Sequence, residues 1–204
     1  FRDRGYLTLP GRQEELIRRV AATGKPVVVV LIGGSAIVMS EWLDQVPAVL
    51  NAWYPGEEGG NALADILMGD ANPSGKLPIT WPVDEAQLPL NYSHKPTGRS
   101  DDYLNLTGEP LFPFGYGLSY TEFEYGNLQV RPAGVHTFQV SFTVRNAGKY
   151  AGYEVPQLYL RDKISSVTQP ITRLIHYTAI HLNPGESKTV TFRVDEDDLS
   201  MLNQ

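Results

Sequence analysis

Hydrophobic residues recur with different periods along the chain, and each period predicts a different kind of element. An unbroken, largely β-branched run at 26–32 is typical of a strand buried on both faces, as in a parallel sheet with helices on either side. Helical spacing ahead of that run predicts a first helix. Its apolar positions are Leu16, Ile17, Val20 and Ala21. After Tyr120 the period becomes two, which predicts antiparallel strands with one buried face.

Three further elements are predicted in the first half of the chain. A second strand is expected at 48–54, and a second helix at 57–68 is ended by Gly69. The second helix should bury Ala62, Leu63, Ile66 and Leu67. A third strand is expected at 76–81, where prolines confine it to a sheet edge or end. These elements predict part of an α/β sandwich domain, with a parallel-rich sheet and helices on both faces.

The second half of the chain predicts an all-β domain. Alternating or strand-like segments occur at 138–144, 155–160, 174–182 and 190–194. Short strands separated by turn signals indicate an immunoglobulin-like antiparallel β-sandwich. About five strands are counted where a complete sandwich has about seven, so its last strand or strands are expected to be missing. We divide the chain into 1–117, which ends in a long Pro/Gly/Tyr-rich loop at 83–117, and 118–204.

Charge and hydropathy exclude two classes of partner. The net charge is −6 and the basic residues are scattered, so nothing points to nucleic acid or an anionic membrane surface. The longest apolar run, at 26–32, is too short to cross a bilayer. The chain opens on Phe1 without an initiator methionine or a signal peptide, which favours a fragment, a processed product or an engineered piece.

Neither metal nor cofactor chemistry is predicted. The sequence has no cysteine, which excludes disulfides, thiolate zinc sites and thiol nucleophiles. Its histidines are spread along the chain, whereas metal ligands are usually clustered. They are His94, His136, His176 and His181. The lack of cysteine leaves the cellular compartment open.

The most distinctive stretch, 53–82, contains two adjacent carboxylates. Glu57 and Glu58 could act in catalysis, since neighbouring acids raise the pKa of one another. We favour the interpretation that they are first-turn residues of the second helix, where the helix dipole stabilises negative charge. The other acidic groups, Asp101 with Asp102 and the run at 195–198, are interpreted as solvated loop charges.

Six motifs follow one another in an order and spacing that cover almost the whole chain. They are Leu-Pro-Gly at 9–11 followed by Gln13, Gly-Lys-Pro-Val-Val-Val-Val-Leu at 24–31, Trp-Tyr-Pro-Gly-Glu-Glu-Gly-Gly at 53–60, Gly-Lys-Leu-Pro at 75–78, Lys-Pro-Thr-Gly-Arg at 95–99 and Phe-Pro-Phe-Gly-Tyr-Gly-Leu-Ser-Tyr at 112–120. Each motif alone is a weak signal. Taken in order, they make the chain resemble the carboxy-terminal part of glycoside hydrolase family 3, the β-glucosidase and β-xylosidase family.

The resemblance implies a three-part enzyme: an amino-terminal (β/α)8-type barrel, an α/β sandwich domain and a fibronectin type III-like domain. This chain would hold the later part of the second and most of the third. The implied partner is the amino-terminal portion of the same enzyme, and the implied substrate is a terminal β-glucoside or, alternatively, a β-xyloside. A periplasmic or secreted location is favoured over a cytoplasmic one, and homo-oligomerisation stays open.

Retention of configuration needs a carboxylate nucleophile and a carboxylic acid/base about 5–5.5 Å apart. The resemblance places the nucleophile, an aspartate, in the barrel and the acid/base, a glutamate, just ahead of an x-x-Asp segment that here is Phe1-Arg2-Asp3. The glutamate is therefore expected immediately before Phe1, and no catalytic residue is expected in the chain itself. Arg2, Asp3 and Arg4 are the candidates for the edge of the active site.

Other residues with sugar-binding chemistry have structural interpretations that we favour. Tyr92, His94 and Lys95 are interpreted as a loop clamp, and Trp53 and Trp81 as core residues. Two competing functions remain. The sandwich half would suit a non-catalytic carbohydrate-binding or adhesion module, and exposed aromatic stripes would support it. Gly-Gly-Ser at 33–35 after a buried strand suggests nucleotide binding only weakly, because the G-x-G-x-x-G spacing is absent.

Overall fold

The computed structural model of the protein describes residues 4–97 and 102–200, which form two compact units. The first unit combines residues 4–68 with the described part of Leu77–Tyr116. The second combines Gly69–Lys76 with residues 117–200. A short segment in the middle of the sequence therefore belongs structurally to the carboxy-terminal unit.

The first unit has α/β architecture, as the sequence predicts. Its elements are helix α1 (Gln13–Ala21), strand β1 (Val28–Leu31), strand β2 (Ala48–Asn51) and helix α2 (Gly59–Met68). β1 and β2 pair in parallel, with Val28 opposite Ala48 and Leu31 opposite Asn51. Two 3-10 turns, Leu43–Gln45 and Glu85–Gln87, lie in the connections.

The core of the first unit is built mainly from the segment that follows β1. Its buried members are Leu31, Ala36, Ile37, Met39, Trp42 and Trp81. Trp81 is 1% exposed, and its indole Nε1 donates to the Ile37 carbonyl oxygen at 2.8 Å. Trp53 packs against Trp81 with ring centroids 6.1 Å apart. The interpretation as a core residue is confirmed for Trp81, and the half-buried Trp53 packs against the same core.

The predicted apolar faces of the two helices are only partly buried. On α1, Ile17 packs against the core, whereas Leu16 and Val20 are 62% and 41% exposed. On α2, Leu63 and Ile66 are half-buried, but Ala62 and Leu67 are exposed. The burial predicted for Ala62 and Leu67 is therefore wrong, because periodicity identifies an apolar stripe but not whether a neighbouring layer covers it.

The predicted strand at 76–81 does not form. The segment instead makes single backbone contacts with 111–116: Leu77 N donates to Tyr116 O at 2.7 Å, and Trp81 N donates to Phe112 O at 2.8 Å. Pro78 and Pro82 supply no N–H groups, so a continuous ladder is impossible. Two of the motifs that carry the resemblance thus pair with each other across the first unit.

The long loop that follows is organised around one buried amide. Gln87 is 5% exposed, and its Oε1 accepts a hydrogen bond from Val83 N at 2.7 Å. Its Nε2 donates to the carbonyl oxygens of Thr107 and Glu109, at 2.8 and 3.0 Å. The Gln87 side chain thus supplies hydrogen-bond partners for backbone groups of a loop that forms no β-ladder, because buried backbone polar groups require partners.

The second unit is a β-sandwich of antiparallel strands, which confirms the predicted all-β half. Its described strands are β3 (Phe123–Gly134), β4 (Thr137–Asn146), β5 (Gly152–Glu154), β6 (Gln157–Leu160), β7 (Arg173–Tyr177), β8 (Ile180–Leu182) and β9 (Ser187–Val194). β3, β4 and β9 form one sheet in that order, while β5 pairs with β8 and β6 with β7. A short helix, α3 (Glu196–Leu199), follows β9.

Strand β3 is the element that periodicity does not reveal. Eleven of its twelve residues are exposed, so it shows no alternation of buried and exposed positions. It is an edge strand that pairs with β4 alone, and its register shifts between Gly126 and Gln129. Asn127 at this shift has a φ of 55°, a left-handed conformation that asparagine tolerates better than most residues.

The core of the second unit joins the two sheets through alternating side chains. Its buried members are Phe142, Val144, Ile180, Leu182, Val190 and Phe192. Asn146 is fully buried beside this core, and every polar atom of its amide has a partner. Its Oδ1 accepts from Thr121 Oγ1 and Gly148 N, and its Nδ2 donates to the carbonyl oxygens of Tyr150 and Leu182. This amide fixes the turn between β4 and β5.

Gly69–Lys76 is fastened into the second unit by two side chains. Asn72 Oδ1 accepts from Ser119 Oγ and Tyr120 N, both at 2.9 Å, and Asn72 Nδ2 donates to Ala151 O at 3.0 Å. Lys76 Nζ lies 3.2 Å from Glu154 Oε2. Backbone approach is also close here, since a Cβ on Gly117 would lie 2.1 Å from Gly75 O. The glycine at position 117 is therefore a steric requirement.

Glu154 is the buried centre of a polar cluster that we call the Glu154 cluster: Lys76, Tyr125, which is half exposed, and Glu154. The Glu154 side chain is 10% exposed and the Lys76 side chain 17% exposed. Tyr125 donates its hydroxyl to Glu154 Oε1 at 2.8 Å, and Lys76 Nζ also donates to Gly117 O. A carboxylate this deeply buried requires both the cation and the hydroxyl as partners.

Lys76→Ala should destabilise the second unit by about 3 kcal/mol, because it leaves a buried carboxylate without its cation. The measurement is urea unfolding of the whole chain. Arg145→Ala is the matched control, since the Arg145–Glu124 pair joins side chains that are 53% and 63% exposed and should cost less than about 1 kcal/mol. Equal losses in the two variants would contradict the role given to the cluster.

The Glu154 cluster also predicts sensitivity to alkaline pH. Burial, followed by the hydrogen bond to Glu154 and the charge of that carboxylate, raises the pKa of the Tyr125 phenol above its usual range. Because the folded pKa exceeds the unfolded value of about 10, the stability from this group is present below about pH 10 and is lost as the pH rises further. Urea unfolding at a series of pH values should show a shallower alkaline decline for Tyr125→Phe than for the native chain. Parallel declines would count against this assignment.

Candidate functional site

The carboxyl ends of β1 and β2 form the candidate site. In parallel α/β sheets this edge is where ligands bind. Two backbone bonds hold the ends together: Gly33 N donates to Trp53 O at 3.1 Å, and Ala52 N donates to Leu31 O at 2.9 Å. The Tyr54 ring closes over Gly34, where an added Cβ would lie 2.7 Å from a ring carbon. Tyr54 itself is 77% exposed.

Arg4 fastens the first described residues onto this edge. Its guanidinium donates to the carbonyl oxygens of Thr8 and Ala36, both at 3.3 Å, and to the Ser35 hydroxyl. Leu7 continues the attachment, since its carbonyl oxygen accepts from Val38 N at 3.0 Å. A planar guanidinium with five N–H groups suits this fork of oxygens, whereas it cannot donate a proton in catalysis. Arg4 therefore positions a loop.

Glu85 completes the attachment, and sequence reasoning missed it. Its Oε2 accepts a hydrogen bond from Leu7 N at 2.8 Å, across a sequence separation of 78 residues. Glu85 lies in the short 3-10 turn of the long loop, where local patterns give no reason to single it out. Of the three predicted edge residues, Arg4 lies within the described residues and bonds to Ser35 and Ala36 after β1, and its place at the edge of an active site stays a prediction. Arg2 and Asp3 lie outside the described residues, so the prediction for them stays a prediction.

Glu57 and Glu58 lie in the turn immediately before α2 and are exposed. The Glu58 carbonyl oxygen accepts from Ala62 N at 3.0 Å, and its carboxylate accepts from the Asn61 side chain. This is the geometry of a helix start, which supports the structural interpretation of both residues. Neither carboxylate is enclosed by apolar side chains, since both residues are exposed.

Aromatic residues of the long loop stack on one another. Tyr92 stacks on Phe114 with ring centroids 4.0 Å apart, and Phe112 stacks on Tyr116 at 4.8 Å. His94 Nδ1 lies 2.8 Å from the Asn91 carbonyl oxygen. These contacts support the loop-clamp interpretation of Tyr92 and His94.

The acidic run at 195–198 is not simply a solvated loop, and that interpretation is wrong. Asp195 caps α3 by accepting from Asp197 N at 3.1 Å and Asp198 N at 3.4 Å. Asp198 Oδ2 lies 3.0 Å from His176 Nε2. In the long loop, Asp102 likewise accepts from Gly108 N at 2.8 Å. Asp101 lies outside the described residues.

Neither a metal site nor a membrane-spanning helix is found among the described residues. No group of three or more His, Cys, Asp or Glu side chains within 4–97 and 102–200 is arranged to hold a metal ion. Across the same ranges, no helix has the length and apolar character needed to traverse a bilayer.

The fold is an α/β domain followed by a β-sandwich. Models of two known domain families match these two parts of the chain. Residues 2–120 match the glycosyl hydrolase family 3 C-terminal domain, and residues 154–204 match a fibronectin type III-like domain. The chain belongs to glycoside hydrolase family 3.

Curated relatives extend well beyond this chain. The chain is 41% identical to a periplasmic β-glucosidase of Salmonella typhimurium, over 98% of this chain and 28% of the relative. It is 42% identical to a β-xylosidase of Formosa agariphila, over 99% of this chain and 29% of the relative. The chain thus spans less than a third of the length of either protein.

Solved structures share the fold. A β-glucosidase from Erythrobacter marinus superposes with a TM-score of 0.91 at 45% identity, covering 96% of this chain and 26% of that one. The β-glucosidase from Listeria innocua in complex with isofagomine superposes with a TM-score of 0.88 at 37% identity, covering 93% of this chain and 28% of that one.

Arg4→Ala should loosen the loop at the carboxyl edge without unfolding the first unit. Loss of charge-assisted hydrogen bonds should make the Val38 amide exchange its hydrogen roughly tenfold faster. The measurement is hydrogen exchange by NMR. Arg19→Ala is the control, because Arg19 is a 73% exposed partner of Glu15 on α1. Arg4→Lys should not restore protection of the Val38 amide from exchange, since one ammonium group cannot reproduce the hydrogen bonds of the guanidinium. Full protection of this amide in Arg4→Ala would overturn the positioning role.

Proposed function

We propose that this chain is the carboxy-terminal part of a retaining, exo-acting β-glycosidase that removes terminal non-reducing β-linked sugars. The observation that carries the proposal is the match to the family along nearly the whole chain, with relatives named as β-glucosidases and β-xylosidases at 41% and 42% identity. A β-glucosidase is the first expectation and a β-xylosidase the alternative. The chain supplies scaffold and depends on the amino-terminal portion for chemistry.

The mechanism assigned to the intact enzyme uses two carboxyl groups about 5–5.5 Å apart. An aspartate of the barrel domain attacks the anomeric carbon and forms a glycosyl ester, while the acid/base glutamate protonates the leaving oxygen. The same glutamate then deprotonates the water that hydrolyses the ester. We place this glutamate immediately before Phe1, on the loop whose continuation is held by Arg4 and Glu85.

That attachment gives the chain its role in catalysis. A general acid must stay within hydrogen-bond reach of the leaving oxygen, and small displacements reduce the rate sharply. Arg4 ties the loop to Ala36, and Glu85 ties Leu7 to the long loop. Both residues are positioning residues, because their polar atoms are bonded to protein atoms of the loop.

Two features of the first unit support a further protein layer packed on it. Apolar side chains are exposed on α1 and β1, where Leu16 is 62% and Val28 48% exposed. Three buried polar atoms lack a hydrogen-bond partner among the described residues, namely Trp42 Nε1, Asn51 Nδ2 and Thr80 Oγ1. Buried polar groups are nearly always paired, and a two-stranded sheet is small for an independent fold. We assign these surfaces to the amino-terminal portion of the enzyme.

The proposal is tested by complementation with an aryl β-glucoside. The chain alone should give no turnover above buffer, and a mixture with the separately produced amino-terminal portion should recover activity. The recovered activity on an aryl β-xyloside, expressed as kcat/KM, ranks the two substrate classes. Robust turnover by the chain alone would refute the proposal, since no retaining pair would then be accounted for.

The position of the acid/base has its own test. The parent gene should encode glutamate immediately before Phe1, and its replacement by glutamine in the intact enzyme should lower kcat by about 10²- to 10⁴-fold. Added azide should rescue turnover of an activated aryl glycoside, since this anionic nucleophile needs no base: it attacks the anomeric carbon in place of water, releases the aspartate carboxylate and gives a glycosyl azide. Any other residue before Phe1 would remove this placement while leaving the family assignment unchanged.

A periplasmic or secreted location is part of the proposal. Its support is the relative from Salmonella typhimurium, whose name places that protein in the periplasm.

A further inference from the structure

One face of the sandwich is formed by a continuous two-stranded ribbon. β5 pairs with β8 and β6 pairs with β7, and Thr178 N donates to Pro156 O at 3.2 Å between the two pairs. The register is unbroken from the Gly152–Leu182 pair to the Leu158–His176 pair. The four short strands therefore act as one ribbon, with one inner and one outer face.

Alternation along the ribbon identifies the outer face. Gly152, Glu154 and Pro156 are buried, whereas Tyr153 and Tyr159 between and beyond them are exposed. On the partner strands, Ile180 and Leu182 are buried and His181 is exposed. Because side chains alternate between the faces of a strand, the outward positions share one surface. We call its aromatic and polar members, which lie on either side of the half-buried Val155, the tyrosine face: Tyr153, Gln157, Tyr159, Tyr177 and His181.

Its aromatic rings are exposed and lie in register. Tyr153, Tyr159 and Tyr177 are 53%, 37% and 68% exposed. Tyr153 pairs with His181 across the strands, edge to face at 4.9 Å, and Tyr177 pairs with Gln157. Four residues along a strand span about 13 Å, so the rings at 153 and 177 are separated by more than one sugar ring.

The chemistry of the face suits a neutral, polyhydroxylated ligand. Tyrosine offers a flat apolar ring for stacking and a hydroxyl for hydrogen bonding. Gln157 and His181 add amide and imidazole groups that can both donate and accept, and the Tyr159 hydroxyl already donates to Gln157 Oε1. None of the five residues carries a carboxylate, an ammonium or a guanidinium group. The C–H faces of a sugar would stack on the rings while its hydroxyls meet the polar edges.

We propose that the tyrosine face, which belongs to the second unit, is a carbohydrate-binding surface that holds a neutral β-linked glucan chain. The linkage class rests on the proposed function, because it is taken from the β-glycosides that such an enzyme would cleave. The face would retain a polymeric or long oligomeric substrate near the enzyme without taking part in bond cleavage.

The test measures binding of the 204-residue chain to a soluble β-1,3-1,4-glucan by affinity electrophoresis, where binding retards migration. Tyr153→Ala combined with Tyr177→Ala should weaken binding by about tenfold or more, as loss of exposed aromatic anchors does at other interfaces. Tyr177→Phe should retain most of the affinity, because the stacking ring remains. Both positions are exposed, so the urea midpoint should stay close to that of the native chain.

Two control variants match the exposure of the substituted residues. Tyr103→Ala removes a 55% exposed tyrosine from the other unit, and Leu128→Ala removes a 68% exposed apolar side chain from β3. Neither should change binding. Equal weakening by all variants, or no retardation of the native chain, would overturn the proposal. So would self-association in sedimentation velocity that the double tyrosine variant abolishes, since the face would then be an interface between copies.

Binding and turnover are separate readouts. If the chain binds glucan but gives no activity after complementation, the proposal for the tyrosine face is supported and the proposed enzyme function is refuted. Complemented activity without glucan retardation would do the reverse.

Discussion

The carboxylate of Glu154 imposes the strongest physical constraint on this molecule. A buried negative charge is tolerated only with a cation and further hydrogen bonds, which Lys76 and Tyr125 supply. Lys76 comes from the Gly-Lys-Leu-Pro motif, 78 residues away in sequence. The contact between Lys76 and Glu154 helps to explain why Gly69–Lys76 folds as part of the sandwich unit, although this segment follows α2 in the chain. The motif therefore supplies a cation for a buried carboxylate as well as backbone hydrogen bonds.

The second half of the same motif has a different task. Leu77 and Trp81 pair with the Phe-Pro-Phe-Gly-Tyr-Gly segment, and Trp81 fills the core of the first unit. The family motifs suggested active-site residues, but in the structure they mainly supply core side chains and backbone hydrogen bonds. The stretch at 53–60 behaves similarly, since Glu57 and Glu58 are exposed at the start of α2. The candidate site lies at the carboxyl ends of β1 and β2, where hydrogen bonds from Arg4 and to Glu85 hold a loop.

Periodicity predicted the elements that bury one or both faces. The run at 26–32 gave β1, and the alternation at 138–144 and 190–194 gave β4 and β9, because burial leaves a regular mark on the sequence. β3 left no such mark, since almost all of its residues are exposed. The segment at 76–81 carried strand-like residues, yet its prolines removed the donors that a ladder needs. Local sequence identified only part of the candidate site. Arg4 could be singled out because it directly follows the Phe1-Arg2-Asp3 segment, whereas no local pattern marks Glu85.

The sequence by itself determined the family, the order of an α/β and an all-β part, and the absence of thiol chemistry. These follow from local composition, spacing and motifs, which need no knowledge of distant contacts. Tertiary structure alone decided which charges meet and which apolar stripes stay uncovered. It joined Lys76 to Glu154 and Leu7 to Glu85, and it aligned Tyr153 and Tyr177 on one outward face. Hydrogen bonds and ion pairs act over a few ångströms in space regardless of sequence separation, so no local pattern encodes their partners.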